Sequence, residues 1–155
     1  MNPCPCGHLG EPQCHCTEDQ VRRYRSKISG PLLDRIDLHI EVPRLPRGAL
    51  ANAAPGENSE TVRIRVIAAR ERQLARAGCI NARLTGSALL THCRLGASQQ
   101  DLLETAMERL GLSGRAYHRI LRVARTIADL ADADRITATH LGEAIGCRNL
   151  DRTSI

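Results

Sequence analysis

Four of the seven cysteines fall within the first sixteen residues, as Cys4-Pro5-Cys6 and Cys14-His15-Cys16, with a seven-residue loop between the pairs that holds His8. Two thiolate pairs closed by such a loop can surround a tetrahedral zinc ion with four sulfurs. The spacing within each pair is one residue rather than the commoner two, so the same residues also suit reduced structural or redox-labile thiols. An odd cysteine count without a secretory signal points to a reducing cytoplasm, where metal is favoured over disulfide. Cys4, Cys6, Cys14 and Cys16 are therefore candidate zinc ligands. Cys79, Cys93 and Cys147 are scattered and read as buried apolar residues.

Two arginines carry a different chemistry. Arg115 falls in the first turn of a predicted helix, just after the N-cap candidate Ser113, where the helix macrodipole disfavours a cation. A guanidinium beside exposed helix N–H groups makes a cradle for a terminal phosphate. Arg119 and Arg122 extend the same stripe, and the competing reading is a solvated basic face. Arg35 follows Leu32-Leu33-Asp34 and precedes an alternating run; at the rim of a sheet it could reach a neighbouring subunit's phosphate, or simply pair with Asp34 at the surface.

The elements that must position these groups divide into three stretches: residues 1–43, a linker over 44–58 rich in Pro, Gly, Ala and Asn, and a helical lobe over 59–155. Thr17 and Gln20 have capping-box spacing, with Glu18 and Asp19 in the first turn. Val21, Tyr24 and Ile28 then repeat at helical spacing up to a stop at Gly30-Pro31. Ile36, Leu38, Ile40 and Val42 alternate with Asp37, His39 and Glu41, predicting a strand that needs a sheet this sequence does not supply. In the third stretch helices are expected from Ser59 to about Ala77, Ser98 to Leu110, Ser113 to about Ala131, and after the N-cap Thr137. Val62, Ile64 and Val66 also fit a short strand. Tyr117, Ile120, Leu121, Ala124, Ile127 and Ala128 share one helix face.

Composition narrows the function classes. With no Phe or Trp and only Tyr24 and Tyr117, the core must come from Leu, Ile, Val and Ala, and no base-stacking platform for single strands is available. The net charge of +5 permits phosphate contact. The bland reading of the excess of arginine over the single lysine, Lys27, is codon bias in a GC-rich genome. No segment approaches a membrane span, and a cytoplasmic location is expected.

The opening Asn2-Pro3-Cys4-Pro5-Cys6-Gly7 resembles the magnesium-chelatase-like AAA+ ATPases of the ComM/YifB subfamily, at the segment that begins with their sensor 1 asparagine. The run RRYRSKISGPLLDRIDLHIEVP (22–43) is similar to the family's arginine-finger region, and LSGRAYHRILRVARTIADLA (112–131) to its sensor 2 helix; Asn81-Ala82-Arg83-Leu84 fits its lid pattern. The resemblance implies a mostly α chain: a remnant of an α/β AAA+ core, with one helix, one strand and a Cys-rich loop (1–43), followed by an all-α lid (59–155). It implies Asn2 as sensor 1, Arg35 as an arginine finger given in trans, and Arg115 as the sensor 2 arginine. ATP and Mg²⁺ as cofactors, a homo-oligomeric ring of hexameric type, and DNA as partner follow from the same resemblance. The family's P-loop and acidic Walker B strand have no counterpart in this sequence, so the chain reads as a truncated piece or half of a split reading frame, inactive in ATP hydrolysis alone. The alternatives are a freestanding zinc-containing helical binding module and a subunit of a true magnesium chelatase; the cysteine cluster matches the ComM-like branch better.

Overall fold

In this computed structural model the described residues are 2–43, 45, 48 and 54–148. They form two compact units, Met1–Ile36 and Asp37–Ile155. Most of the expected linker (Arg44, Pro46, Arg47 and residues 49–53) lies outside the described residues.

The first unit is a cysteine loop followed by two short helices, α1 (Glu18–Arg25) and α2 (Gly30–Leu33). The capping box forms as expected: the Gln20 amide donates to Thr17 Oγ1 at 3.3 Å, and the Thr17 amide donates to Gln20 Oε1 at 2.9 Å. Glu18 and Asp19 occupy the positive end of α1 and Arg22, Arg23 and Arg25 its negative end, so charges at both ends agree with the dipole. Gly30-Pro31 does not merely stop a helix. Pro31 opens α2, because its fixed φ suits a first turn and its missing N–H is not needed there.

The second unit is all helical among the described residues: α3 (Ser59–Ala77), a 3-10 turn (Asn81–Arg83), α4 (Gly86–His92), α5 (Ala97–Leu110), α6 (Gly114–Leu130) and α7 (Ala138–Gly146). Asn58, rather than Ser59, caps α3, its Oδ1 accepting from the Thr61 amide at 2.8 Å. Gly78 and Gly111 end α3 and α5 in the left-handed conformation, which glycine adopts without a Cβ penalty. The alternative strand at Val62–Val66 is helix instead. α4 has no counterpart in the sequence reading; its seven residues are too few to show a period.

α6 is the axis of this lobe and packs against α7, α3, α4 and the 3-10 turn. Ile120, Leu121, Ala124 and Ala128 are sealed in the core with Leu84, Leu89, Leu103, Leu141, Ala144 and Ile145, while Tyr117 and Ile127 lie at its edge. Alanines on the buried face let neighbouring helices approach closely without aromatic filler, as the composition demanded.

The strand expected over Ile36–Val42 does not form; no strand occurs among the described residues. Its polarity is also reversed. His39 is buried, whereas Ile40 and Val42 are exposed. A lone strand has no ladder to satisfy its amides, so the segment is fastened to the helical lobe: the His39 amide donates to the Cys147 carbonyl at 2.6 Å, and Asp37 pairs with Arg119.

Behind α6 lies a buried polar network. Asp129 receives both Arg76 guanidinium nitrogens (2.7 and 2.8 Å) and the Asn81 side-chain amide (2.8 Å). Arg125 Nη2 lies 3.1 Å from the same carboxylate and, with Nη1, donates to the carbonyls of Ala133 and Asp134. Gln73 Oε1 accepts from the Asn81 amide at 3.0 Å. Burial alone would raise the Asp129 pKa, but the hydrogen bonds from Arg76 and Asn81 and the two guanidinium charges hold it below the ordinary value. Its stabilisation is therefore present above the unfolded carboxylate pKa and is lost as pH falls through the lower folded one. Asp129→Ala should cost ~3–5 kcal/mol, because it leaves buried guanidinium charge uncompensated. Chemical denaturation should show that loss near pH 7 and a smaller difference from wild type in strong acid; equal stability at neutral pH would contradict the network's role.

Candidate functional site

The cysteine loop closes through short turns, with Gly7 N–H to Cys4 O at 3.1 Å, Glu11 N–H to His8 O at 2.9 Å and Cys14 N–H to Glu11 O at 2.9 Å. Gly7 takes a φ of 84° there, a conformation that L side chains avoid. The turns bring all four sulfurs within 4.8 Å of one another. Cys4 Sγ lies 3.4 Å from Cys6 Sγ and 3.9 Å from Cys14 Sγ, and Cys6 Sγ lies 3.8 Å from Cys14 Sγ. A tetrahedral zinc with bonds near ~2.3 Å holds its sulfurs about 3.8 Å apart, so the donor set fits that ion. His8 does not join the sulfurs; its Nδ1 lies 3.1 Å from Glu11 Oε2.

Crowded sulfurs cannot all ionise without a cation. The His8 backbone N–H, assisted by the neighbouring thiols, brings the Cys6 pKa down to about 6. Against the pull of the Cys6 backbone N–H, contact with the Cys6 and Cys4 sulfurs, burial and the Cys4 charge together push Cys16 up to about 11. Cys14 is likewise raised: the Cys16 backbone N–H pulls down but is outweighed by burial and by Cys6 and Cys4. A divalent ion would relieve this repulsion directly.

Asn2 is exposed beside this loop, its side chain alongside Gly7. Arg35 is exposed just beyond α2 and folds back on it, Nη1 donating to the Pro31 carbonyl at 2.8 Å. Arg115 belongs to the second unit. It is exposed one residue into α6, whose N-cap Ser113 accepts from the Ala116 amide at 3.2 Å. The stripe beyond it is not a free basic face. Arg119 pairs with Asp37, and Arg122 Nε donates to the Leu84 carbonyl at 3.0 Å. Among the described residues Arg115 has no ion pair and keeps its charge outward.

Sequence reasoning missed Arg76, Asp129 and Arg125. The i,i+4 spacing of Arg125 and Asp129 was available as a signal, but Asp129 resembles any polar residue flanking an apolar stripe.

Comparison with known proteins settles the family. Residues 56–148 match the family model described as magnesium chelatase, subunit ChlI C-terminal, and residues 1–50 match magnesium chelatase, subunit ChlI. This chain belongs to the magnesium chelatase ChlI family. Within it, the chain is 48% identical to the competence protein ComM of Haemophilus influenzae over 153 residues, covering 98% of this chain and 30% of that protein. YifB of Escherichia coli is 46% identical over 156 residues, covering 100% of this chain and 31% of YifB. Rv2897c of Mycobacterium tuberculosis is 42% identical over 134 residues, covering 84% of this chain and 26% of that protein. The chain thus spans about three-tenths of the length of the ComM/YifB relatives it matches. No helix among the described residues is long and apolar enough to cross a membrane.

The cysteine geometry makes a direct prediction for this magnesium chelatase family chain. Protein purified without chelator should carry about one zinc by elemental analysis. Zinc added to metal-free protein at pH 7 should release at least two protons, because Cys14 and Cys16 are held above their ordinary values and must ionise to bind. Affinity should fall as pH drops, with protons competing last at Cys6, near pH 6. Four titratable free thiols and no metal would contradict the site.

Proposed function

We propose that this chain is the sensor-and-lid portion of an ATP-driven AAA+ ring motor that acts on branched DNA when the protein is full length. The observation that carries it is the exposed guanidinium of Arg115, without an ion pair among the described residues, at the N-terminus of the rigid axial helix α6. A cation there works against the dipole of its own helix, a cost that a bound phosphate reverses by drawing on the guanidinium and the free N–H groups together. The donor set therefore fits the terminal phosphate of ATP. Bound ATP and Mg²⁺ supply the phosphoryl group and its charge neutralisation, and the loop and acid that hold them in this family have no counterpart in this sequence.

In this reading Asn2 positions the attacking water, Arg115 neutralises the terminal phosphate from the lid, and Arg35 approaches the same phosphate from the neighbouring subunit. Residues 1–43 complete the ATPase core and 59–155 form the lid. The four cysteines hold zinc and brace the loop that follows Asn2. The DNA assignment is supported by the similarity to the ComM branch, by the cysteine cluster and by the net charge of +5. A homo-oligomeric ring is the setting this arrangement requires, since a finger given in trans needs a neighbour, and the cysteine usage favours the cytoplasm as its compartment.

The chain alone should release no phosphate from ATP above a no-enzyme blank. In the full-length protein, losing Arg35 should cost about 10³-fold or more in turnover, by analogy with GTPase arginine fingers. Mixed rings separate the two arginines. An Arg35→Ala subunit keeps its own nucleotide pocket and should turn over when its neighbour is normal. An Arg115→Ala subunit should not be rescued. Identical behaviour of the two variants in mixed rings would sink the assignment of one arginine to each side.

A further inference from the structure

Beside the cysteine cluster an open cleft of about 630 Å³ runs between Cys6, His15 and Cys16 on one wall and Arg23, Tyr24 and Lys27 on the other. α1 builds the second wall. Its capping box fixes the start of the helix, and Arg25 Nε donates to the Pro3 carbonyl at 3.2 Å, which ties the helix to the cysteine loop. Lys27 follows in the next turn, with its amide on the Tyr24 carbonyl at 3.4 Å and its ammonium 5.9 Å from the centre of the Tyr24 ring.

The charges along this stretch divide into two groups. Arg22 is answered by Asp19 and Arg25 by the Pro3 carbonyl. Arg23 and Lys27 face the cleft, have no ion pair among the described residues, and no carboxylate lines the cleft with them. Arg23 and Lys27 thus offer two cations from one wall, answered in part by the thiolate charge that zinc-bound Cys6 and Cys16 would carry on the other. A phosphate entering from the open side of the cleft can be contacted by both cations. The cleft is open rather than enclosed, which suits a strand passing through. The Lys27 ammonium already occupies the neighbourhood of the Tyr24 ring, so contact is made through charge and not by stacking a base.

We propose that this cleft is a contact for the phosphodiester backbone of a nucleic-acid strand, with Arg23 and Lys27 as the phosphate ligands and the cysteine loop as the opposite wall. The proposal rests on the DNA reading above and adds to it the surface that meets the strand. Such a contact is independent of sequence and weakens with salt, because each neutralised phosphate releases counterions.

The test uses the full-length protein and a fluorescent branched DNA, titrated at several salt concentrations. Arg23→Ala with Lys27→Ala should weaken binding on the order of tenfold per lost contact at ~0.1 M salt, and should lower the salt slope by about two. The charge-keeping pair Arg23→Lys with Lys27→Arg should retain binding. As a control for net charge, Arg63→Ala with Arg70→Ala on α3 should have the smaller effect. Wild-type binding with an unchanged double-alanine variant, or an equal loss in the α3 control, overturns the cleft while leaving the DNA reading intact. Failure of wild-type protein to bind DNA removes both. A fluorescent ATP analogue forms the second arm: if the double-alanine variant loses nucleotide affinity and keeps DNA affinity, the phosphate belongs to a nucleotide and the nucleic-acid assignment falls.

Discussion

The Asp129 carboxylate is closed off from water between the guanidinium groups of Arg76 and Arg125, with the Asn81 amide on its remaining lone pairs. Burying one carboxylate with two cations costs least when their polar atoms are paired. Here the Nη atoms of both arginines find acceptors, while Arg76 Nε and Arg125 Nε find none among the described residues. This network therefore demands one arrangement of three separate elements: α3 supplies Arg76, the 3-10 turn supplies Asn81 and α6 supplies Asp129 and Arg125. To the non-directional apolar packing of α6 the network adds directional bonds between fixed partners. The network fixes its register, and with it the direction in which the N-terminal end of α6 presents Arg115.

Charge accounting along α6 shows what that register achieves. Arg119 is held by Asp37, Arg122 by the Leu84 carbonyl, and Arg125 by the core network. Each tied arginine fastens α6 to a different part of the lobe, and the first one on the helix remains available. A basic stripe in the sequence thus separates into three structural groups and one outward cation. In the first unit the same division recurs on a smaller scale, with Arg22 and Arg25 tied down and Arg23 and Lys27 directed into the cleft.

Much of this was legible from residue types and spacing. Helices α1, α3, α5, α6 and α7 follow from apolar periodicity and from Thr17, Ser113, Thr137, Gly78 and Gly111 at their ends, since caps and left-handed glycines are local chemistry. The cysteine cluster was legible because two cysteine pairs seven residues apart can be closed by short turns into one four-sulfur set, which is what the turns at Gly7, Glu11 and Cys14 do. The Ile36–Val42 run misled for a physical reason. Alternation reports which side of a strand would be buried if a sheet were present, and His39 is buried here against a helical lobe instead. The Asp129 network was hidden because its partners, Arg76 and Asn81, lie 53 and 48 residues away. Only the tertiary fold reveals which of many surface-type residues are sealed.

Phosphate reading by Arg115 joins the fold to the proposed chemistry, and equilibrium nucleotide affinity of the full-length protein tests it most directly. An arginine that contacts the terminal phosphate has nothing to hold in the diphosphate. Arg115→Gln should therefore weaken ATP binding by about tenfold or more, the value of a charge-assisted hydrogen bond, while ADP binding changes little. Equal affinity for ATP in the variant and wild type, or an equal loss for ATP and ADP, would contradict the account.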